Sequence, residues 1–203
     1  MNAPVTLRPA LADDASAVHS LISENLEVGH LLPRTLIDIE RHASRFVVAE
    51  SDGEVVGCAE LAPLSEGVAE VRSLVVALAF RGRRIGTALV DRLAEAATAG
   101  GYATLCAFTH EPAHFVRMGF TIVPHVWVPE KVARDCTSCA LFRRCGQYAV
   151  TLTLRAGANL RPEQPAALLR GSRAVAGRRL NVERLQLRPV AARARAEEEA
   201  VPA

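Results

Sequence analysis

The chain has 203 residues, half of them hydrophobic, and a formal charge of +2 at neutral pH. That suffices for one sizeable core plus an appendage, and the charge is too small to bind nucleic acid by electrostatics alone. No apolar span reaches transmembrane length, and five cysteines with no apolar signal core at the N-terminus predict reduced thiols in a cytoplasmic protein.

Val5 to Arg8 alternates as a strand that Pro9 ends, and Asp13-Asp14 open a helix carrying Ala17, Val18, Leu21 and Ile22. Leu31-Leu32-Pro33-Arg34-Thr35 leads to a second short helix with Leu36, Ile37 and Ile39. Arg45 to Glu50 and Val55 to Ala59 read as strands joined by the Asp52-Gly53 hairpin signal. A turn around Ser65-Glu66-Gly67 precedes a central strand with Val71, Leu74, Val75 and Val76. The helix that follows has apolar positions at Ile85, Ala88, Leu89, Leu93, Ala96 and Ala97 and stops at Gly100-Gly101. Tyr102 to Phe108 is a strand, Glu111 to Met118 a short helix with Pro112 in its first turn, and Phe120 to Val123 another strand. Tyr148, Val150, Leu152 and Leu154 alternate with smaller residues, which predicts a half-buried closing strand. From Ala156 the apolar pairs are diluted by Ala, Arg, Pro and Gly. The division is therefore a domain over 1–155 and a partly helical or disordered tail over 156–203, with a docking segment as the alternative.

The stretch from Val68 to Ala97 organises the domain. Strand, basic glycine-containing turn and helix N-terminus together make an anion site, because first-turn N–H groups lack intrahelical partners. Arg81, Arg83 and Arg84 add charge, and Gly82 and Gly86 let the backbone approach. This segment resembles the acetyl-CoA pyrophosphate loop of the GNAT N-acetyltransferases, Gln/Arg-x-x-Gly-x-Gly/Ala. Arg81 and Gly86 fit; Arg84 stands at the first glycine and is expected to present its N–H at negative φ. The resemblance covers about residues 4–155. It implies an α/β fold with a mixed, mostly antiparallel sheet flanked by helices, and acetyl-CoA as co-substrate. Leu74, Val76, Arg81, Gly82, Arg83, Arg84, Ile85, Gly86 and Thr87 become the expected cofactor contacts.

Four further signatures are Leu31-Leu32-Pro33-Arg34-Thr35, Ala69-Glu70-Val71-Arg72-Ser73-Leu74, Met118-Gly119-Phe120 and Asp135-Cys136-x-x-Cys139-x5-Cys145. With Pro129-Glu130-Lys131-Val132 they resemble the short stand-alone N-acetylglutamate synthases of bacterial arginine biosynthesis. Glu40, His42 and Ala133 depart from that pattern. The resemblance implies direct acetyl transfer to the α-amine of L-glutamate in a ternary complex. Carboxylates call for arginine forks, hence Arg34 and Arg72 as substrate ligands. Glu70 shares a strand face with Arg72 and is the expected general base. The tyrosine that many GNAT enzymes use to protonate the CoA thiolate is replaced by Phe115, leaving Thr109, His110 or water to assist. The alternatives are another amino acid, amine or protein lysine as acceptor, and a non-catalytic acyl-CoA-binding module. A homodimer is compatible with the sequence, and no nucleic-acid or membrane partner is expected.

Cys136, Cys139 and Cys145 could hold zinc with a fourth ligand from elsewhere, but reduced structural thiols are the favoured reading. Cys58 and Cys106 read as small core residues. His110-Glu111-Pro112-Ala113-His114 fits the HExxH pattern, yet Pro112 should leave His110 before the helix that carries His114, away from a shared metal face.

Overall fold

The structure, a computed structural model, describes residues 4–27 and 31–157. All of these belong to the first of two units, Met1–Pro162. The predicted tail from residue 158 onward lies outside the described residues.

Seven strands form one mixed sheet in the order β1-β2-β3-β4-β5-β7-β6. They are β1 (Thr6–Pro9), β2 (Phe46–Ser51), β3 (Glu54–Pro63), β4 (Val68–Val76), β5 (Thr104–Thr109), β6 (Thr121–Val123) and β7 (Tyr148–Thr153). Only β4 and β5 are parallel, as the intervening helix requires. The main helices are α1 (Ala15–Glu24), α2 (Leu36–Arg41), α3 (Ile85–Ala99) and α4 (Pro112–Arg117). This is the predicted element order.

Side-chain alternation along the strands divides the core between two faces. Phe46, Val48, Cys58 and Val75 meet Val18, Ile22 and Ile39 of α1 and α2. Ala49, Ala59, Val71, Leu105 and Val150 meet Leu89, Leu93 and Phe115 of α3 and α4. Phe115, where a tyrosine was sought, is buried edge-on against Phe120. Cys58 and Cys106 are fully buried, and burial pushes the Cys58 thiol up to about 12, so it is inert.

Two expectations shift. Within α3 the buried stripe is Ile85, Leu89, Val90, Leu93 and Ala97, while Ala96 is exposed and Ala88 only half-buried. The closing strand is more than half-buried: Ala149, Val150 and Thr151 are all buried. The reason is packing on both faces: Val150 lies in the cluster with Leu105 and Phe115, and Ala149 in the one with Cys106 and Val128.

At the chain start, Asp14 accepts from the Leu11 N–H at 2.7 Å and takes both ends of the Arg8 fork, while Arg8 also reaches Glu50. The acidic pair predicted to open α1 does so through Asp14.

Candidate active site

The parallel pairing of β4 with β5 stops early. Val68 to Val71 match Thr104 to Ala107, and no pairing continues beyond. Ser73 sits at φ 50°, and the β3–β4 register slips between Cys58 and Glu60, which makes a bulge in β4. The β5-facing edge of β4 from Arg72 to Val76 is therefore open. Main-chain N–H and C=O groups on such an edge need partners, which an extended, amide-bearing ligand can supply. Leu74 and Val76 lie on this stretch and pack toward α3.

The basic turn lies at the end of that edge. Gly82 has φ 76° and the N-cap Arg84 φ 61°. The negative φ expected at Arg84 is thus corrected: the chain enters α3 through a left-handed residue. Arginine tolerates this at a cost that glycine would not incur. No side chain caps α3, so the first-turn N–H groups of Ile85, Gly86 and Thr87 are not claimed by a cap. Arg81 is engaged structurally: Nε donates to the Val76 carbonyl at 3.0 Å and Nη2 to Asn25 Oδ1 at 2.8 Å. The Arg83 guanidinium lies 5.1 Å from the Phe80 ring centroid, and Arg84 is exposed. Together these groups provide an anion seat at one end of an open strand edge.

At the other end lies a row of charges on the α1/α2 face of the sheet. Glu60 stands opposite Arg72 across β3–β4, and Glu70 follows two residues along. Arg72 Nε is 3.7 Å from Glu70 and its Nη2 3.9 Å from Asp135, so it is loosely paired and partly exposed. Glu70 is buried, with Lys131 Nζ 2.7 Å from its Oε1, and Lys131 also bonds Asp135 at 2.7 Å. Lys131 lies 5.5 Å from the Phe108 centroid, and His125 stacks on that ring. Burial pushes the Glu70 carboxyl up, and Lys131 and Arg72 pull it back. The segment 129–136 that carries Lys131 is fastened to the β3–β4 hairpin by Arg134 on the Pro63 carbonyl and Ser65 on Glu130.

Arg34 closes the row differently from the sequence expectation. Its guanidinium bonds Glu60 at 2.6 Å, Asp38 through Nε at 2.7 Å and Ser73 Oγ at 3.3 Å. Its side chain is 9% exposed. The fork is taken up by two of the protein's own carboxylates, whereas Arg72 keeps an available one.

Thr109 ends β5 with its Oγ1 accepting the Glu111 N–H at 2.9 Å. His110 precedes α4, as Pro112 dictates, and does not share the helix with His114. Cys136, Cys139 and Cys145 are free thiols on the partly exposed segment after Lys131. Among the described residues no group of three or more His, Cys, Asp or Glu could hold a metal ion. Sequence reasoning missed Glu60, Asp135 and Lys131 as members of the charge row. One signal was available: Lys131 is the sole lysine in the chain.

Residues 15–120 match the acetyltransferase (GNAT) family. An uncharacterized N-acetyltransferase of Chlorobaculum tepidum is 32% identical over 152 residues, 75% of this chain and 98% of that protein. The chain belongs to the GNAT acetyltransferase family. An amino-acid acetyltransferase of Ralstonia nicotianae is 36% identical over 116 residues, covering 56% of this chain and 26% of that protein. The chain thus spans about a quarter of the length of the amino-acid acetyltransferases it matches. N-acetylglutamate synthase from Neisseria gonorrhoeae, solved with coenzyme A and N-acetyl-glutamate, superposes with a TM-score of 0.67 at 26% identity, covering 76% of this chain and 36% of that one.

Acetyl-CoA is accordingly the co-substrate, and the open β4 edge and uncapped α3 N-terminus fit it. A diphosphate is stabilised by the first-turn N–H groups and the helix dipole. The amides of a pantetheine arm match the free groups of a strand edge. Among the described residues, no helix of this GNAT protein is long and apolar enough to cross a membrane.

Proposed function

We propose that the chain transfers the acetyl group of acetyl-CoA to the α-amine of L-glutamate, by direct attack in a ternary complex. The observation that carries this reading is the row Arg34, Glu60, Arg72, Glu70, Lys131, Asp135, in which positive and negative groups alternate beside the open edge of β4. Such a row suits a small zwitterion better than a simple amine. The available fork of Arg72 takes a carboxylate, and the ammonium is drawn toward Glu70.

In this mechanism Glu70 accepts the ammonium proton. At 3% exposure it does so through a relay water rather than by direct contact. Desolvation raises its proton affinity, and Lys131 opposes that rise. The freed amine attacks the thioester carbonyl; as the carbon–sulfur bond breaks, the nitrogen gives up its second proton, which reaches the CoA thiolate through water or through the Thr109 hydroxyl, which takes one proton up as it passes one on. Leu74, Val76 and the 81–87 turn hold the cofactor. Arg34, bound to Glu60 and Asp38, supports the site from below and serves a second carboxylate only by exchanging one of these partners.

That engagement favours a specific second reading: an amino acid or amine acceptor with fewer carboxylates than glutamate. A CoA-release assay with acetyl-CoA against a panel of amino acids, polyamines and lysine peptides tests both. Turnover selective for glutamate supports the first reading. Selectivity for a monocarboxylic amino acid replaces the acceptor, and activity on lysine peptides alone discards the amino-acid reading.

A further inference from the structure

Cys136, Cys139 and Cys145 lie close together in the chain, and the chemistry above gives them no task. Cys136 and Cys139 bracket one tight turn, in which the Cys139 N–H donates to the Cys136 carbonyl at 3.1 Å. A turn closed in this way keeps its first and last Cα within about 7 Å, and a disulfide spans about 4.4–6.8 Å. Both residues keep part of their surface in solvent, whereas Cys58 and Cys106 are sealed in the core. Burial, opposed by Lys131, pushes the Cys136 thiol up, and Cys145, Asp135 and Cys139 lie near enough to add to that rise. The turn follows directly on the segment that serves the active site. Val132–Cys136 is a π-helical stretch, closed by the Thr137 N–H on the Val132 carbonyl at 3.2 Å. Asp135, beside Cys136, bonds Lys131 Nζ at 2.7 Å, and Lys131 in turn holds Glu70.

We infer that Cys136 and Cys139 form a reversible thiol–disulfide pair whose closure braces the segment carrying Lys131 and Asp135. The oxidant is a low-molecular-weight disulfide such as oxidised glutathione. The Cys139 thiolate attacks one glutathione sulfur and the glutathione S–S bond breaks. A mixed disulfide forms, and the first glutathione leaves as a thiolate that takes up the proton Cys139 lost. Cys136, deprotonated in turn, attacks the Cys139 sulfur and displaces the second glutathione. Two electrons thus pass from the protein to glutathione, giving one protein disulfide and two reduced glutathiones. The ring so closed is short, so closure adds little stability and the pair opens again in excess reduced glutathione. The inference holds whichever amine is acetylated.

The test is incubation of the full chain in oxidised glutathione, an acid quench and mass mapping of its peptides, then a return to reduced glutathione. The peptide holding Cys136 and Cys139 should become two hydrogens lighter and recover fully, while Cys58 and Cys106 stay thiols. Cys145→Ser should leave this result unchanged, and Cys136→Ser should instead collect glutathione on Cys139. Hydrogen–deuterium exchange reads the brace: over residues 132–137 the oxidised chain should exchange about tenfold more slowly than the reduced one. A pair that stays reduced in oxidised glutathione overturns the inference. Disulfides that run only through Cys145 or between chains, and equal exchange in the two forms, overturn it as well. So does one equivalent of zinc that the purified chain holds on these thiols and releases to a thiol reagent. The mapping and the exchange use the parent chain, so a variant that fails to fold leaves every one of these outcomes in force.

Discussion

Changing Glu70 to Gln and Lys131 to Met, singly and together, separates the catalytic from the structural part of the buried pair. In Lys131→Met the Glu70 carboxylate keeps only Arg72, at 3.7 Å, inside a site 3% exposed. Stranding one member of a buried pair typically costs about 3–5 kcal/mol. In Glu70→Gln the ammonium retains Asp135 at 2.7 Å, so the loss should be smaller, roughly 1–2 kcal/mol. The double variant leaves no stranded charge on the pair, and its loss should fall short of the sum of the two single losses by about 1–3 kcal/mol in a double-mutant cycle. Urea unfolding measures all four corners. Turnover should follow a different pattern: both variants lacking Glu70 should lose about 100-fold or more, whatever their stability, as removal of a general base does. The pH profile gives an independent sign. Burial holds the Glu70 carboxyl above its ordinary 4.5, and the base must be ionised to accept a proton. Activity should therefore fall on the acid side at a pH above 4.5. In Lys131→Met, where the attraction that lowers this pKa is gone, the fall should come at still higher pH. Full turnover in Glu70→Gln, or an acid limb that moves downward in Lys131→Met, would refute the assignment.

Three further outcomes are expected. Arg72→Met should raise the acceptor KM by about 10- to 100-fold, the worth of charge-assisted hydrogen bonds to a carboxylate, with CoA affinity unchanged by calorimetry. Arg84→Gly should raise the urea stability by about 0.5–1 kcal/mol, because φ 61° costs arginine more than glycine; a loss would contradict the left-handed cap. Hydrogen bonds from Arg8, outweighing burial, and from the Leu11 N–H hold Asp14 below its ordinary 3.8. Its contribution is thus complete above that value and is lost as pH falls through the folded-state pKa, because the unfolded chain takes up the proton first. The acid branch of a stability–pH curve should be shallower in Asp14→Asn.

Much of this architecture was legible because periodicity reports burial directly. The Asp52-Gly53 hairpin and the Pro112 helix start follow from local chemistry and appear as read, and the stripe of α3 does so except at Ala88, Val90 and Ala96. The turn between β4 and α3 was legible too, since its glycines and arginines interrupt the apolar pattern on either side. What escaped was set by distant contacts. Arg84 and Ser73 adopt left-handed backbone at residues whose side chains give no hint of it. The carboxylates that engage Arg34, Glu60 and Asp38, come together only once α2 lies over β3. Lys131 reaches Glu70 across 61 positions of sequence, a distance that no window of residues can see. Buried β7 was misjudged because its own alternation gives no sign of the residues, Val128 among them, that cover its second face.

The placement of β7 also fixes an order of events during synthesis. Among the described residues it is the last strand of the sheet to be made, yet it occupies an interior position, and it supplies hydrogen-bond partners to β5 on one side and β6 on the other. Until Tyr148 to Thr153 has left the ribosome, β5 shows a bare edge beside buried Leu105, Cys106 and Ala107, and β6 has no sheet to join. The nascent chain must carry that exposed seam while the intervening residues are added, and such seams recruit chaperones or stray strands. Slow codons placed before position 148 would lengthen the exposure. The yield of folded enzyme should be more sensitive to the pace of translation there than anywhere earlier in the described chain.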